Sequence, residues 1–179
     1  SLKEVSEWEP YVLFVPAAEP GLLHVIINGL HPYYQTLDAK DAIHEIFITM
    51  ERITVQFSNM NPMLLHDLEK FHYKAYQRFQ EHKDKFLLKI IRDNIEWGIK
   101  DELYRAEVNV YVMSKFRIES MMIPFDVTVF PPGKYNLATI SEMIIENFTY
   151  GLASIKGHKL IQKYNDQRQK QMLYEESKK

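Results

Sequence analysis

A chain of 179 residues is the length of one domain with a sizeable core, and its 46% hydrophobic and 26% charged residues are ordinary for a globular protein. A net charge of −2 gives no bulk attraction to nucleic acid, and six glycines argue against a glycine-rich phosphate loop. The absence of cysteine excludes disulfides, thiolate metal sites and cysteine nucleophiles and fits a reducing, cytoplasmic setting, while no apolar run is long enough to span a membrane.

The chain has two textures. In residues 1–37, Tyr11–Val15 and Leu22–Ile27 are apolar runs separated by Pro16, Pro20 and Gly21. That pattern predicts two short strands and a turn, an irregular or β-hairpin-like extension. From Asp38 to the end, residues 38–179, the pattern is helical and the expected fold class is all-α. Asp38 is the expected N-cap of the first helix, with Asp41 in its first turn. Ile43, Phe47, Met50, Ile53 and Phe57 recur at three- and four-residue spacing, which builds one apolar stripe.

Asn61-Pro62 predicts the start of a second helix, which carries Leu64, Leu65, Leu68 and Phe71. A third is expected from about Tyr73 to Leu103, where Leu87, Ile91, Ile95 and Ile99 lie four apart. Asn109 and Asn136 are the expected caps of two more, separated by a loop at Pro124 and Pro131-Pro132. Gly157 is expected to interrupt the chain before a last, polar segment.

Chemistry has little support in these residues. His66 and His72 are six apart, whereas helical zinc ligands sit three or four apart, so no metal site is expected. His24 and His31 flank the second proposed strand without sharing a face. No nucleophile elbow surrounds any serine. The chain is therefore not expected to be an enzyme, and no cofactor is implied.

Segments Met60–Lys83, Asn94–Arg105, Phe130–Asn136, Asn147–Ser154 and Ile155–Tyr164 read MNPMLLHDLEKFHYKAYQRFQEHK, NIEWGIKDELYR, FPPGKYN, NFTYGLAS and IKGHKLIQKY. Together, over residues from about 40 to 164, they resemble the C-terminal effector-binding and dimerisation domain of the TetR family of transcriptional regulators. The resemblance implies an all-helical bundle whose last two main helices, here about Asn109–Ile123 and Asn136–Ser154, pair with those of a second subunit. Met113, Ser120, Met143, Asn147 and Gly151 are the expected interface residues of that homodimer. Gly151 either admits a partner helix, or only eases packing inside one subunit or helps end the helix.

The resemblance also implies a pocket among the middle helices. Its expected lining is Ile53, Phe57, Leu68, Phe71, Tyr76, Phe79 and Phe116, suited to a small apolar or aromatic effector. Nothing in residues 1–37 matches the family's helix-turn-helix, and Lys3 is the one basic residue there, so this chain alone is not expected to contact DNA. The rival expectation is a helical interaction module that dimerises without a small-molecule ligand.

Overall fold

A computed structural model describes residues 38–58 and 60–178, and the two strands expected in residues 1–37, with His24 and His31, lie outside the described residues. The described residues are all-α. The helices are α1 (Ala42–Phe57), α2 (Leu64–Phe71), α3 (Tyr73–His82), α4 (Leu88–Lys100), α5 (Val110–Ser120), α6 (Leu137–Leu152) and α7 (Ile155–Glu176). A π-helical turn, Lys83–Leu87, joins α3 to α4, and a 3₁₀ turn, Ile123–Phe125, follows α5.

Helix α1 is the axis of the bundle and packs against α4, α6 and α7. Its stripe enters two cores. Ala42, Ile43 and Phe47 join the larger one with Leu68, Phe79, Leu87, Ile95, Ile118, Leu152 and Ile161. Met50, Ile53 and Phe57 join the smaller one with Phe125, Leu137, Ala138 and Ile145. Burying a Leu, Ile or Phe side chain contributes about 1.5–3 kcal/mol, so these two clusters dominate the stability of the domain.

Local signals set most helix ends. Asn109 Oδ1 accepts from Val112 N at 3.0 Å, and Asn136 Oδ1 accepts from Thr139 N at 3.0 Å, so both expected caps form. Two starts differ from expectation. The cap of α1 is Asp41, not Asp38, because Asp41 Oδ1 accepts from His44 N at 2.8 Å. Asn61 folds an Asx turn onto Met63 N at 2.9 Å, and α2 begins only at Leu64.

The long third helix is broken into α3 and α4 by the π turn and ends at Lys100. Ala75, Phe79, Lys83, Leu87, Ile91 and Ile95 are all buried at four-residue spacing. At 3.6 residues per turn, that spacing drifts about 40° per step around a straight helix. The wider π turn absorbs the drift and keeps the row on one face.

Three of the segments singled out in the sequence meet at one junction, where the ends of α4 and α6 join the start of α7. Tyr104 pairs with Ala153 as an antiparallel bridge, Arg105 N donates to Leu152 O at 2.9 Å, and Ser154 N donates to Leu103 O at 2.9 Å. Ser154 Oγ donates to Glu102 O at 2.7 Å and accepts from Gly157 N at 3.1 Å. Gly157 does not interrupt the chain; it lies in the first turn of α7. A Cβ there would collide with the Leu103 carbonyl oxygen, so its role is close approach.

Candidate functional site

Two features of the bundle have the makings of a site, and they lie on opposite sides of the same two helices. One is the outward face of α5 and α6. The other is a cleft beneath it.

The outward face follows from how α6 spends its charges. Glu142 pairs with Arg168 of α7, and Glu146 accepts from Asn165 Nδ2 at 3.2 Å, also on α7. The remaining exposed stripe of α6 is Thr139, Met143, Asn147 and Gly151, spaced four apart and uncharged. Met143 is 63% exposed. Gly151 faces open space, with nothing within 4 Å of where a Cβ would stand. The option that Gly151 eases packing within the subunit is therefore removed, while its place next to last in α6 agrees with a helix-ending role. Its carbonyl is held by Arg105 Nη2 at 2.6 Å, which ties the helix end to the junction.

Helix α5 adds Val112 and Phe116, with the exposed Glu119 in the same stripe, and the 3₁₀ turn adds Ile123. Phe116 bridges the two helices by stacking on Phe148 of α6, with ring centroids 6.3 Å apart and planes at 22°. Of the expected interface residues, Met143, Asn147 and Gly151 thus share this face. Met113 is half-buried against the larger core. Ser120 is not on the face at all: it is 3% exposed, and its Oγ donates to Arg117 O at 2.9 Å. The helix turns Ser120 inward because Ile118 and Met121 beside it take the core side.

The cleft opens between α1, α5 and α6. Ile53 and Phe57 of α1 form its floor, and Phe57 meets Phe125 edge-on at 5.3 Å between centroids. Met121, Met122 and Pro124 from the α5 end and Ile144 and Ile145 from α6 close its sides. The polar side chains on it are Arg117, Ser120 and Ser141. Its tight interior is about 20 Å³, space for one water, and about 310 Å³ when the open mouth is included.

Sequence reasoning located two of these residues, Ile53 and Phe57. Leu68 and Phe79 are packed in the larger core instead, and Tyr76 lies against it. Phe71 is 64% exposed and Phe116 54% exposed, so neither lines an interior pocket. Phe71 sits at the end of α2, where the chain turns at His72, and the turn points it outward. The residues missed were Arg117, Ser120, Ser141, Ile144 and Ile145 on the helices and the run Met121, Met122, Pro124 and Phe125 after α5. The signal of that run was a proline amid consecutive apolar residues, which reads as a loop and not as a lining.

Titratable groups gather away from the cleft, at the start of α1. Asn94 Nδ2 donates to Ala42 O at 2.9 Å and to Glu45 Oε2 at 2.5 Å, and Tyr104 Oη donates to Asn94 Oδ1 at 3.2 Å. Burial raises the Glu45 carboxyl above its usual range, against the lowering effect of the Asn94 bond. Burial likewise pushes the Tyr104 phenol far up, so it stays a neutral donor. Tyr164 of α7 donates to Asp41 Oδ2 at 2.6 Å and stacks on His44. This network fixes the entry of the chain into the bundle and has no free nucleophile. Among the described residues no group of acidic, His or Cys side chains is placed to hold a metal.

No family model matches the chain, and searches of curated proteins and of solved structures return no match. What the fold and the site define is an all-α bundle with a two-helix face, uncharged along the α6 stripe and carrying the exposed Glu119 on α5, over a small, mostly apolar cleft. Among the described residues no helix is long and apolar enough to cross a membrane.

Proposed function

We propose that this bundle is the effector-sensing and dimerisation domain of a TetR-like regulator, and that it pairs with a second copy through the α5–α6 face. The observation that carries the reading is the outward stripe of α6. Its carboxylates are taken up by α7, its exposed positions are uncharged, and Gly151 leaves open space where a partner helix can approach. Apolar exposure of Val112, Phe116 and Met143 beside it gives a two-fold contact something to bury. The cleft lies directly under this face. A ligand seated there would act on α5 and α6 and so bias the arrangement of two subunits, provided it binds one arrangement better.

A second reading keeps the pairing and omits the ligand. The tightness of the cleft, about 20 Å³ inside, favours it.

The chain has no cysteine, so a single introduced thiol tests the pairing cleanly. Across a two-fold axis near Gly151, the Gly151→Cys protein should form a reducible covalent dimer under mild oxidation, because a disulfide needs Cα atoms within about 7 Å. Lys89→Cys, on the exposed side of α4, is the control and should stay monomeric on a denaturing gel. Equal cross-linking of both would remove the proposed face.

A further inference from the structure

We infer that Lys83 readies the α5–α6 face for a second copy of this chain: it holds the Glu119 carboxylate, the charge of the α5 stripe, so that the carboxylate is not left alone when covered. This names a specificity residue of the pairing proposed above and rests on that reading.

Glu119 stands between Phe116 and Ile123 in the exposed stripe, three and four residues from them. Residues so spaced share one side of a helix, so a contact that covers both of those side chains covers Glu119 as well. A solvated carboxylate keeps its water. A covered carboxylate with no partner is strongly unfavourable. Lys83 Nζ reaches Glu119 Oε1 at 3.1 Å, from the π turn beneath α5.

The two partners are very unequally buried: the Lys83 side chain is 7% exposed and that of Glu119 is 65% exposed. Lys83 sits in the buried row between Phe79 and Leu87, where an apolar side chain of similar length, such as Met, has no charge to desolvate. In a single subunit, a pair whose carboxylate is still in water contributes little to stability. The pair matters once that water is displaced, which is what a second copy on the face does. The neighbouring residue supports the same aim. Asp84 Oδ1 lies 4.0 Å from Lys115 Nζ, one turn before Glu119 on α5. The two pairs have opposite charge order, so they oppose a slip of α5 along the π turn and keep Glu119 over Lys83.

The test is the dimerisation constant, read by light scattering over a concentration series, for the parent, Lys83→Met, Glu119→Gln and the double variant. Lys83→Met should pair about tenfold more weakly than the parent, and the double variant should return to within about threefold of it. Glu119→Gln thus strengthens pairing where Lys83 is missing and does not strengthen it where Lys83 is present. Thermal unfolding of each variant at a concentration where it is monomeric shows that the subunit itself is intact. Should Lys83→Met fail to fold, Glu119→Lys carries the test, because its position is exposed in the subunit. It sets a second cation beside Lys83 and should also pair about tenfold more weakly.

A dimeric parent whose Lys83→Met or Glu119→Lys variant pairs as tightly would overturn the role of Lys83 and leave the pairing standing. A double variant as weak as Lys83→Met would do the same, since the loss would then come from packing and not from charge. A parent that is monomeric throughout would overturn the pairing, and this role with it.

Discussion

The Tyr104 ring lies across the backbone of Gly98, so close that a Cβ on Gly98 would overlap the ring carbons Cδ2 and Cε2. The ring has no room to retreat. It is 2% exposed, and its hydroxyl is tied to Asn94 Oδ1, which in turn holds the first turn of α1 through Ala42 O. Gly98→Ala is expected to cost about 2–3 kcal/mol by forcing this packing apart. Urea unfolding should show a lower midpoint with little change in slope.

The turn after α4 contains a residue in an unfavourable conformation. Glu102 has φ 60, the left-handed region, and is the residue that ends the helix. Leu103 N donates to Gly98 O at 2.8 Å and Glu102 N to Ile99 O at 3.0 Å, the bonding pattern of a Schellman motif. Glycine fits that position without the Cβ clash. Glu102→Gly should stabilise the domain by about 0.5–1 kcal/mol, read as a higher thermal midpoint.

Acid should weaken the fold through His82. This side chain is 7% exposed at the start of the π turn and stacks on Phe86 at 5.4 Å between centroids. Burial pushes its imidazole down to about 4, from an ordinary value of 6.5. Between those values the unfolded chain holds the extra proton. The stability associated with neutral His82 is therefore complete above about pH 6.5 and is lost as pH falls towards 4. The loss is about 2 kcal/mol, less than the full shift implies because the group keeps some solvent contact. Glu45 works in the opposite sense, since its raised carboxyl favours the protonated folded form as pH falls. Urea unfolding at pH 7 and pH 4.5 should show a larger loss in the parent than in His82→Leu.

Helix order was readable from the sequence because its signals are local. Asn109 and Asn136 cap where expected, and the stripe from Ile43 to Phe57 is the buried face of α1. The π turn was not read: one helix was expected from about Tyr73 to Leu103, and the buried row that crosses the turn runs through Lys83, which reads as a surface residue. The face of α5 was not readable. Tyr111, Val112 and Phe116 are apolar and outward, while Ser114, Arg117 and Ser120 are polar and inward, so periodicity alone assigns the sides wrongly. That inversion misplaced both Phe116 and Ser120. The cleft was missed for a different reason: Phe125 and Met121 reach it only through the fold of the 3₁₀ turn against α1 and α6.

The same inversion makes a prediction of its own. A helix that buries Ser114 and Ser120 while exposing Val112 and Phe116 loses little as a folded monomer if the outer residues become polar. Phe116→Glu with Met143→Glu should therefore unfold within about 0.5 kcal/mol per site of the parent when both are compared as monomers. A much larger loss, seen by thermal unfolding at low concentration, would mean that the two side chains serve the subunit's own core.

The central claim is that the α5–α6 face joins two copies of this chain. Light scattering on the parent protein and on the Phe116→Glu, Met143→Glu variant tests it most directly. The account predicts twice the chain mass of 21.3 kDa for the parent and the single mass for the variant. A parent that stays monomeric across the concentration range, or a variant that remains dimeric, would contradict it.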